Sequence, residues 1–177
     1  MYYGEKVRLR ALTPADAEIS ARWMSDRETT INAAGGGRMP MSEDEERDFI
    51  MRNSYCTFGI ERTDDSRLIG TCSFFDVNHQ ARRCKIGILI GDKENRGWGY
   101  GSDALKTLLK FLFVDRNMYR VALEVFEYNK AAVAMYEKLG FVRECTYRQQ
   151  AYAMGRYWDE YCYAMLRSEY EEKYGDR

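Results

Sequence analysis

Proline is scarce, histidine is all but absent, and neither sign of charge dominates. Two prolines in 177 residues argue against long linkers. The five cysteines (Cys56, Cys72, Cys84, Cys145 and Cys162) include no CxxC pair, so no zinc site or other metal is expected. The basic total of 27 against 28 acidic residues gives a net charge of −1, which excludes a broadly cationic nucleic-acid binder. No apolar run approaches the length of a membrane span, and the opening MYYGEKVRLRAL has no apolar core of a leader. The expectation is a cytoplasmic protein with reduced thiols that pack as small core residues, and no membrane or nucleic-acid partner. What is present, 45% hydrophobic and 31% charged residues, describes one globular domain over residues 1–177.

Lys6–Arg10 alternates with period two and reads as a first strand. Thr13-Pro14, with Asp16 in the first turn, opens a helix carrying Ala17, Ile19, Ala21, Trp23 and Met24. Gly35-Gly36-Gly37 before Pro40 is the most flexible stretch, and Ser42 with Glu45 forms a capping box for a second helix to about Met51. Residues 57–61, 68–77 and 84–91 read as three strands of an antiparallel meander. A helix follows RGWGYG at 96–101, with Ala104, Leu105, Leu108, Leu109 and Leu112 on one face. Val121, Leu123 and Val125 alternate as a strand. Asn129 caps a helix with Ala132, Val133, Tyr136 and Leu139 on one face and Gly140 as its stop. Residues 141–150 and 157–166 are two last strands around a turn with Gly155, and the charged tail after Ser168 reads as a fraying helix end. The fold class is α+β: a mixed, mostly antiparallel twisted sheet of about seven strands flanked by about four helices.

Gly97, Gly99 and Gly101 sit between an apolar strand and a helix start. Without Cβ the chain there can take positive φ, lie close to a ligand and turn its N–H groups outward at a helix N-terminus, where an anion such as a pyrophosphate is favoured. Arg96 adds a charge for such an anion. No Gly-Lys-Ser/Thr tripeptide is present, so the Walker loop is excluded. Gly99, Gly101 and Ala104 match the dinucleotide pattern GxGxxA, though no succession of βαβ units surrounds it. Arg96, Gly99 and Gly101 match the (Gln/Arg)-x-x-Gly-x-(Gly/Ala) loop that cradles coenzyme A. The ordinary alternative is a tight strand-to-helix turn with no ligand.

Three segments in order, VRLRALTPADA at 7–17, IGILIGDKENRGWGYGSDAL at 86–105 and NKAAVAMYEKLGF at 129–141, resemble the GNAT superfamily of acetyl-CoA-dependent N-acetyltransferases. With GRYWDEY at 155–161 the resemblance is closest to the RimJ/RimL-type branch, which acetylates ribosomal proteins and small amines. It covers most of the chain, and only the segment between Arg27 and Met41, where this family builds its acceptor-binding wall, matches nothing. The resemblance implies acetyl-CoA as co-substrate in a V-shaped split between central strands. It places Leu89, Ile90 and Gly91 along the pantetheine arm and the loop of Gly97, Trp98, Gly99, Tyr100, Gly101 and Ser102 around the pyrophosphate, beside Arg96. Asn129 falls near the pantetheine. Tyr136 falls on the family's general acid, which donates a proton to the leaving thiolate. A backbone N–H of Leu89 or a neighbour would hold the thioester oxygen.

The implied reaction is direct attack of a neutral primary amine in a ternary complex. The acceptor is a protein N-terminal α-amine or a small-molecule amine, and the enzyme is a monomer or homodimer. Many relatives carry a glutamate base one residue before Ile-Gly-Ile, where this chain has Lys85. A protonated lysine cannot accept a proton. Glu124, Asp76, His79 or a water chain stand as replacements. A GNAT-like module that binds acyl-CoA without chemistry is the alternative that Lys85 keeps open. Tyr161 and Tyr163 share a strand face and suit an acceptor pocket, a dimer contact or plain sheet packing. The acidic run Glu43–Glu46 reads as a solvated first helical turn. No cysteine has a basic neighbour in sequence, which leaves a covalent acetyl-cysteine route without support.

Overall fold

The computed structural model describes residues 1–35 and 38–175. Eight strands lie in the order β1-β2-β3-β4-β5-β6-β8-β7. They are β1 (Tyr2–Tyr3), β2 (Val7–Ala11), β3 (Thr57–Arg62), β4 (Leu68–Asn78), β5 (Arg83–Ile90), β6 (Arg120–Phe126), β7 (Val142–Ala153) and β8 (Arg156–Leu166). The helices are α1 (Ala17–Ser25), α2 (Arg27–Ala34), α3 (Glu43–Asn53), α4 (Tyr100–Lys110), α5 (Lys130–Leu139) and α6 (Arg167–Tyr174). β5 pairs with β6 in parallel through Arg83–Lys85 and Arg120–Ala122. The pairs β1–β2, β2–β3, β3–β4, β6–β8 and β7–β8 are antiparallel. The α+β class expected from the sequence is the observed one, with one strand and two helices more.

Those extra elements have local causes. β1 is a two-residue strand, Tyr2↔Leu9 and Tyr3↔Arg8, too short to show any period. The helix expected after Thr13 is a 3₁₀ turn at Pro14–Asp16 followed by α1 and α2. Asp26 makes the break: its backbone is extended, and its carboxylate accepts hydrogen bonds from the Thr29 amide at 2.8 Å and the Thr29 hydroxyl at 2.6 Å, capping α2. α3 starts at the expected capping box, with Ser42 and Glu45 exchanging hydrogen bonds. After α4 the chain makes one π-helical turn, Phe111–Asp115, before β6.

Contacts group the chain into two compact units, one of Met1–Ser73 with Gly87–Leu108, the other of Phe74–Ile86 with the chain from Leu109 onward. The first has a core of Leu12, Ala17, Trp23, Ile50 and Leu68, with Ile19 and Leu89 packed on it. Gly91 permits this core: a Cβ there would lie 2.1 Å from the Trp23 ring. The Trp23 indole N–H donates to Asp92 at 3.0 Å, and Asp92 also receives Arg22 and Arg67. In the second unit, Val121, Leu123 and Val125 alternate as buried residues along β6, and Phe113 stacks on Tyr170 at 4.7 Å.

Asp103, buried in the first turn of α4, organises the first unit further. Its carboxylate accepts the backbone N–H groups of Glu5 at 3.1 Å, Lys6 at 2.8 Å and Val7 at 3.0 Å. The β1–β2 turn is thereby bound to the start of α4. Charge-assisted hydrogen bonds of this kind are the strong ones, and truncation strands the donors. Asp103→Ala is expected to cost about 3 kcal/mol. Thermal unfolding should show a fall of roughly 6–12 °C.

Candidate active site

The glycine loop lies in the first unit. Gly97 and Gly99 have φ of +83° and +85°, the left-handed region that a side-chain-bearing residue enters only with strain. A Cβ on Gly97 would meet nothing within 4 Å, so the loop faces open space there. The first hydrogen bond of α4 runs from the Asp103 amide to the Gly99 carbonyl at 3.0 Å. The amides of Tyr100, Gly101 and Ser102 therefore precede any helical acceptor, the usual state of a helix start. Lys6 reaches this loop from β2's approach. Its ammonium donates to the Trp98 carbonyl at 2.9 Å and sits 3.4 Å from where a Gly99 Cβ would be. Nothing in the sequence marks Lys6, which is over ninety residues away in the chain. The amides, the helix start and this ammonium together make an electropositive cradle.

The sequence-predicted residues around the cradle divide in function. Arg96 does not turn its guanidinium to the loop. It donates to the carbonyls of Ile90 at 3.2 Å and Gly91 at 2.7 Å, and to the Thr29 hydroxyl at 2.9 Å. It thus binds the end of β5 to α2. Gly91 is also fixed through its own amide, which donates to Ile69 at 2.9 Å. Trp98 is exposed, with its indole N–H on the Glu94 carbonyl at 2.9 Å. Tyr100 lies under the Arg62 guanidinium. Leu89 is half-buried, and its carbonyl lies 2.1 Å from where a Gly70 Cβ would be, so β4 and β5 approach closely at this glycine.

In the second unit Asn129 caps α5, its side chain accepting from the Ala132 amide at 3.2 Å. Tyr136 is 7% exposed, its ring edge-on to Phe141 at 5.9 Å. Its hydroxyl makes no hydrogen bond among the described residues. Burial pushes the phenol up to about 12, so the group stays protonated through the neutral range. Such a phenol keeps its proton, and among the described residues no internal acceptor competes for it.

The candidate bases are either ion-paired or exposed. Lys85 donates to Glu124 at 3.0 Å, which raises the ammonium's pKa and holds Glu124 in an ion pair. Asp76 lies 3.9 Å from Arg83, and His79 is exposed beyond the end of β4. Tyr163 is buried with its hydroxyl on Glu137 at 2.7 Å, and Tyr161 lies 3.4 Å beneath the Arg143 guanidinium, so both have partners in their own unit. All five cysteines are free. Burial pushes the Cys72 thiol up, and that of Cys84 to about 12, the opposite of an activated thiolate. The described residues contain no group of three or more His, Cys, Asp or Glu suited to a metal ion, and no helix long and apolar enough to cross a membrane.

One acid differs from its expected solvated position. Glu46, last of the acidic run, is only 5% exposed, whereas its neighbours in that run face solvent. It lines a cavity of about 210 Å³ in the first unit with Leu12, Met24, Phe49 and Leu89, beside the polar Thr57, Thr71 and Ser73. Arg38 lines the same cavity. The available signal was spacing: Glu46 stands three and four residues before Phe49 and Ile50, on the inward face of α3.

The fold and the cradle define an acetyltransferase. Residues 6–142 match the model of the acetyltransferase (GNAT) domain, and the chain belongs to that family. It is 27% identical over 173 residues to the uncharacterized N-acetyltransferase p20 of Bacillus licheniformis, covering 95% of this chain and 97% of that protein. It is 29% identical to the putative ribosomal N-acetyltransferase YdaF of Bacillus subtilis (strain 168), covering 94% of each. The solved spermidine N-acetyltransferase from Vibrio cholerae, in complex with CoA and spermine, superposes with a TM-score of 0.83 at 25% identity, over 93% of this chain and 97% of that one. The protein is an acetyl-CoA-dependent N-acetyltransferase.

The Arg96 geometry is testable without any ligand. Arg96→Ala should lose about 1–2 kcal/mol in the free protein, because carbonyls and a hydroxyl lose their donor. A scan of the unliganded variant should show melting lowered by roughly 2–8 °C. An arginine serving only a bound anion would leave that temperature unchanged.

Proposed function

We propose that the chain transfers the acetyl group of acetyl-CoA to a primary amine, a small molecule or a protein N-terminus, by direct attack in a ternary complex. The observation that carries this reading is the pair of left-handed glycines with open space and unfilled helix-start amides beside Lys6. The amides of Gly97–Ser102 take the pyrophosphate, and Lys6 offsets its charge. Leu89 and Ile90 run along the pantetheine arm, with a backbone N–H of Leu89 or a neighbour on the thioester oxygen. Arg96 and Gly91 hold the end of β5 in place for that arm. Asn129 serves by fixing the start of α5, the helix that carries Tyr136.

Tyr136 donates the proton to sulfur. As the amine nitrogen bonds the carbonyl carbon, the C–S bond breaks and the departing thiolate takes the phenol proton; a proton lost by the new amide nitrogen restores the phenol. A cysteine-like thiol has a pKa near 8.5, so the thiolate is a competent acceptor of a hydrogen bond throughout the step. The net change is ammonium plus thioester to amide, thiol and one released proton.

Tyr136→Phe removes an oxygen that no internal group uses, so the variant should fold and melt as the parent does. Its melting shift with acetyl-CoA should be intact while kcat falls roughly 10²-fold or more, read by thiol release. Unchanged turnover would exclude the assignment. Gly99→Val crowds Lys6 and strains the loop. Its affinity for acetyl-CoA should fall by roughly tenfold or more, with the fold checked by circular dichroism. Normal binding by the folded variant would place the pyrophosphate elsewhere.

A further inference from the structure

Glu46 is a largely covered carboxylate with no ion-pair partner among the described residues. Its side chain makes no hydrogen bond and no ion pair among the described residues, although it is 95% covered. Buried carboxylates are ordinarily paired, because an unpaired one is costly to desolvate. The other buried acids of this unit are both satisfied: Asp103 accepts three amides, and Glu61 holds Arg8 and Arg10. Glu46 instead lines the 210 Å³ cavity, where Thr57, Thr71 and Ser73 add hydroxyls. Arg38 is the other ionisable group on the cavity wall. Arg38 is exposed and, among the described residues, forms no ion pair; its side chain donates to the Met41 sulfur at 2.7 Å. Two opposite charges thus share one cavity; Arg38 acts on Glu46 through space without a close ion pair between them, and Leu89 of β5 forms part of the wall.

We propose that this cavity is the acceptor site, that Glu46 receives the acceptor's ammonium and takes its proton, and that Arg38 receives an anionic group on the same molecule. The acceptor class is therefore a small zwitterion of the amino-acid type, with one primary ammonium and one carboxylate or phosphate. A polyamine would face Arg38 with a second positive charge and no second carboxylate. The size agrees: 210 Å³ lies below the 300–1,000 Å³ of sites for drug-sized ligands. The proton step is simple. The ammonium N–H proton passes to a Glu46 oxygen, the freed lone pair becomes the new C–N bond, and Glu46 then gives that proton to solvent. Burial raises the Glu46 pKa and Arg38 opposes this, which makes the carboxylate a better base than a solvated one.

This inference rests on the transfer reaction proposed above, and the test separates the two. The raised pKa means that the folded state prefers the protonated form. Stability attached to Glu46 is present below the unfolded pKa and is lost as pH rises through the folded one. Glu46→Gln should accordingly melt at or above the parent temperature at pH 7. A structural acid would make the variant melt lower. Thiol release should be measured over a panel of α-amino acids, their carboxamides, an aminoalkyl phosphate, spermidine and a peptide with a free N-terminus. The zwitterions are expected to have the highest kcat/KM. Glu46→Gln should lower that value at least 100-fold with the KM for acetyl-CoA unchanged. Arg38→Gln should raise the amine KM about tenfold and erase the preference for an amino acid over its carboxamide. Spermidine or the peptide outrunning every zwitterion, or a Glu46→Gln enzyme with parental kcat/KM, would overturn the proposal.

The same panel is titrated by melting temperature in the presence of CoA, which needs no turnover. A parent that shifts with acetyl-CoA but with no amine overturns the cavity assignment and leaves the transfer reading intact. A Glu46-dependent shift with zwitterions, in a protein that acetyl-CoA does not stabilise, supports the cavity and overturns the transfer reading.

Discussion

The Asp103 carboxylate, closed over by three successive backbone amides, is the constraint on which the first unit is arranged. An acid in the first turn of a helix is favoured by the helix dipole. Here the same acid also captures the turn between β1 and β2, and Gly4 lies so close that a Cβ would sit 2.4 Å from its oxygen. This capture carries Lys6 to the Gly97–Gly99 loop. The loop's positive charge is thus imported from the first residues of the chain, and the helix start alone does not account for it.

Other charges in the molecule are spent on structure. Asp92 gathers Trp23, Arg22 and Arg67. Arg96 joins the carbonyls that end β5 to Thr29 of α2. Glu61 of β3 holds both Arg8 and Arg10 of β2; burial pushes its pKa up, but the hydrogen bonds from those two arginines outweigh this and lower it. Lys85 and Glu124 neutralise each other. Against this background the few polar groups left without internal partners stand out. Among the described residues they include the amides that open α4, the Tyr136 hydroxyl and the Glu46 carboxylate, besides the buried Ser20 hydroxyl, Asn95 side-chain nitrogen and Arg167 Nε. Protein interiors satisfy their polar groups, so groups left open at a cavity or loop are the ones available to a substrate.

Most of the architecture was legible from local patterns. Period-two alternation marked β2 and β6, because one face of each is buried, and the capping box at Ser42–Glu45 and the Asn129 cap marked α3 and α5. The glycines of the loop were legible because left-handed backbone is a local demand on residue type. α2 escaped because Arg27–Ala34 has almost no apolar face, and its start depends on an Asp26 cap within an apparently continuous helix. β1 escaped because two residues carry no period.

Side-chain destinations were a different matter. Arg96 precedes the glycines in the pattern that suits a phosphate loop, yet its guanidinium is drawn back to the carbonyls of Ile90 and Gly91. Lys6 and Trp98 meet only because the chain folds them together. Glu46 looks in sequence like one more solvated acid at a helix start. It is buried because α3 turns that position inward beside Ile50. Helix, strand and turn follow mostly from neighbours a few residues apart, so residue order by itself settled all but β1 and the start of α2, together with the family. Which ionisable groups neutralise one another, and which are left facing a cavity, depends on contacts between distant segments. Only the tertiary structure decided those, because electrostatic pairing follows distance in space, and burial sets its strength.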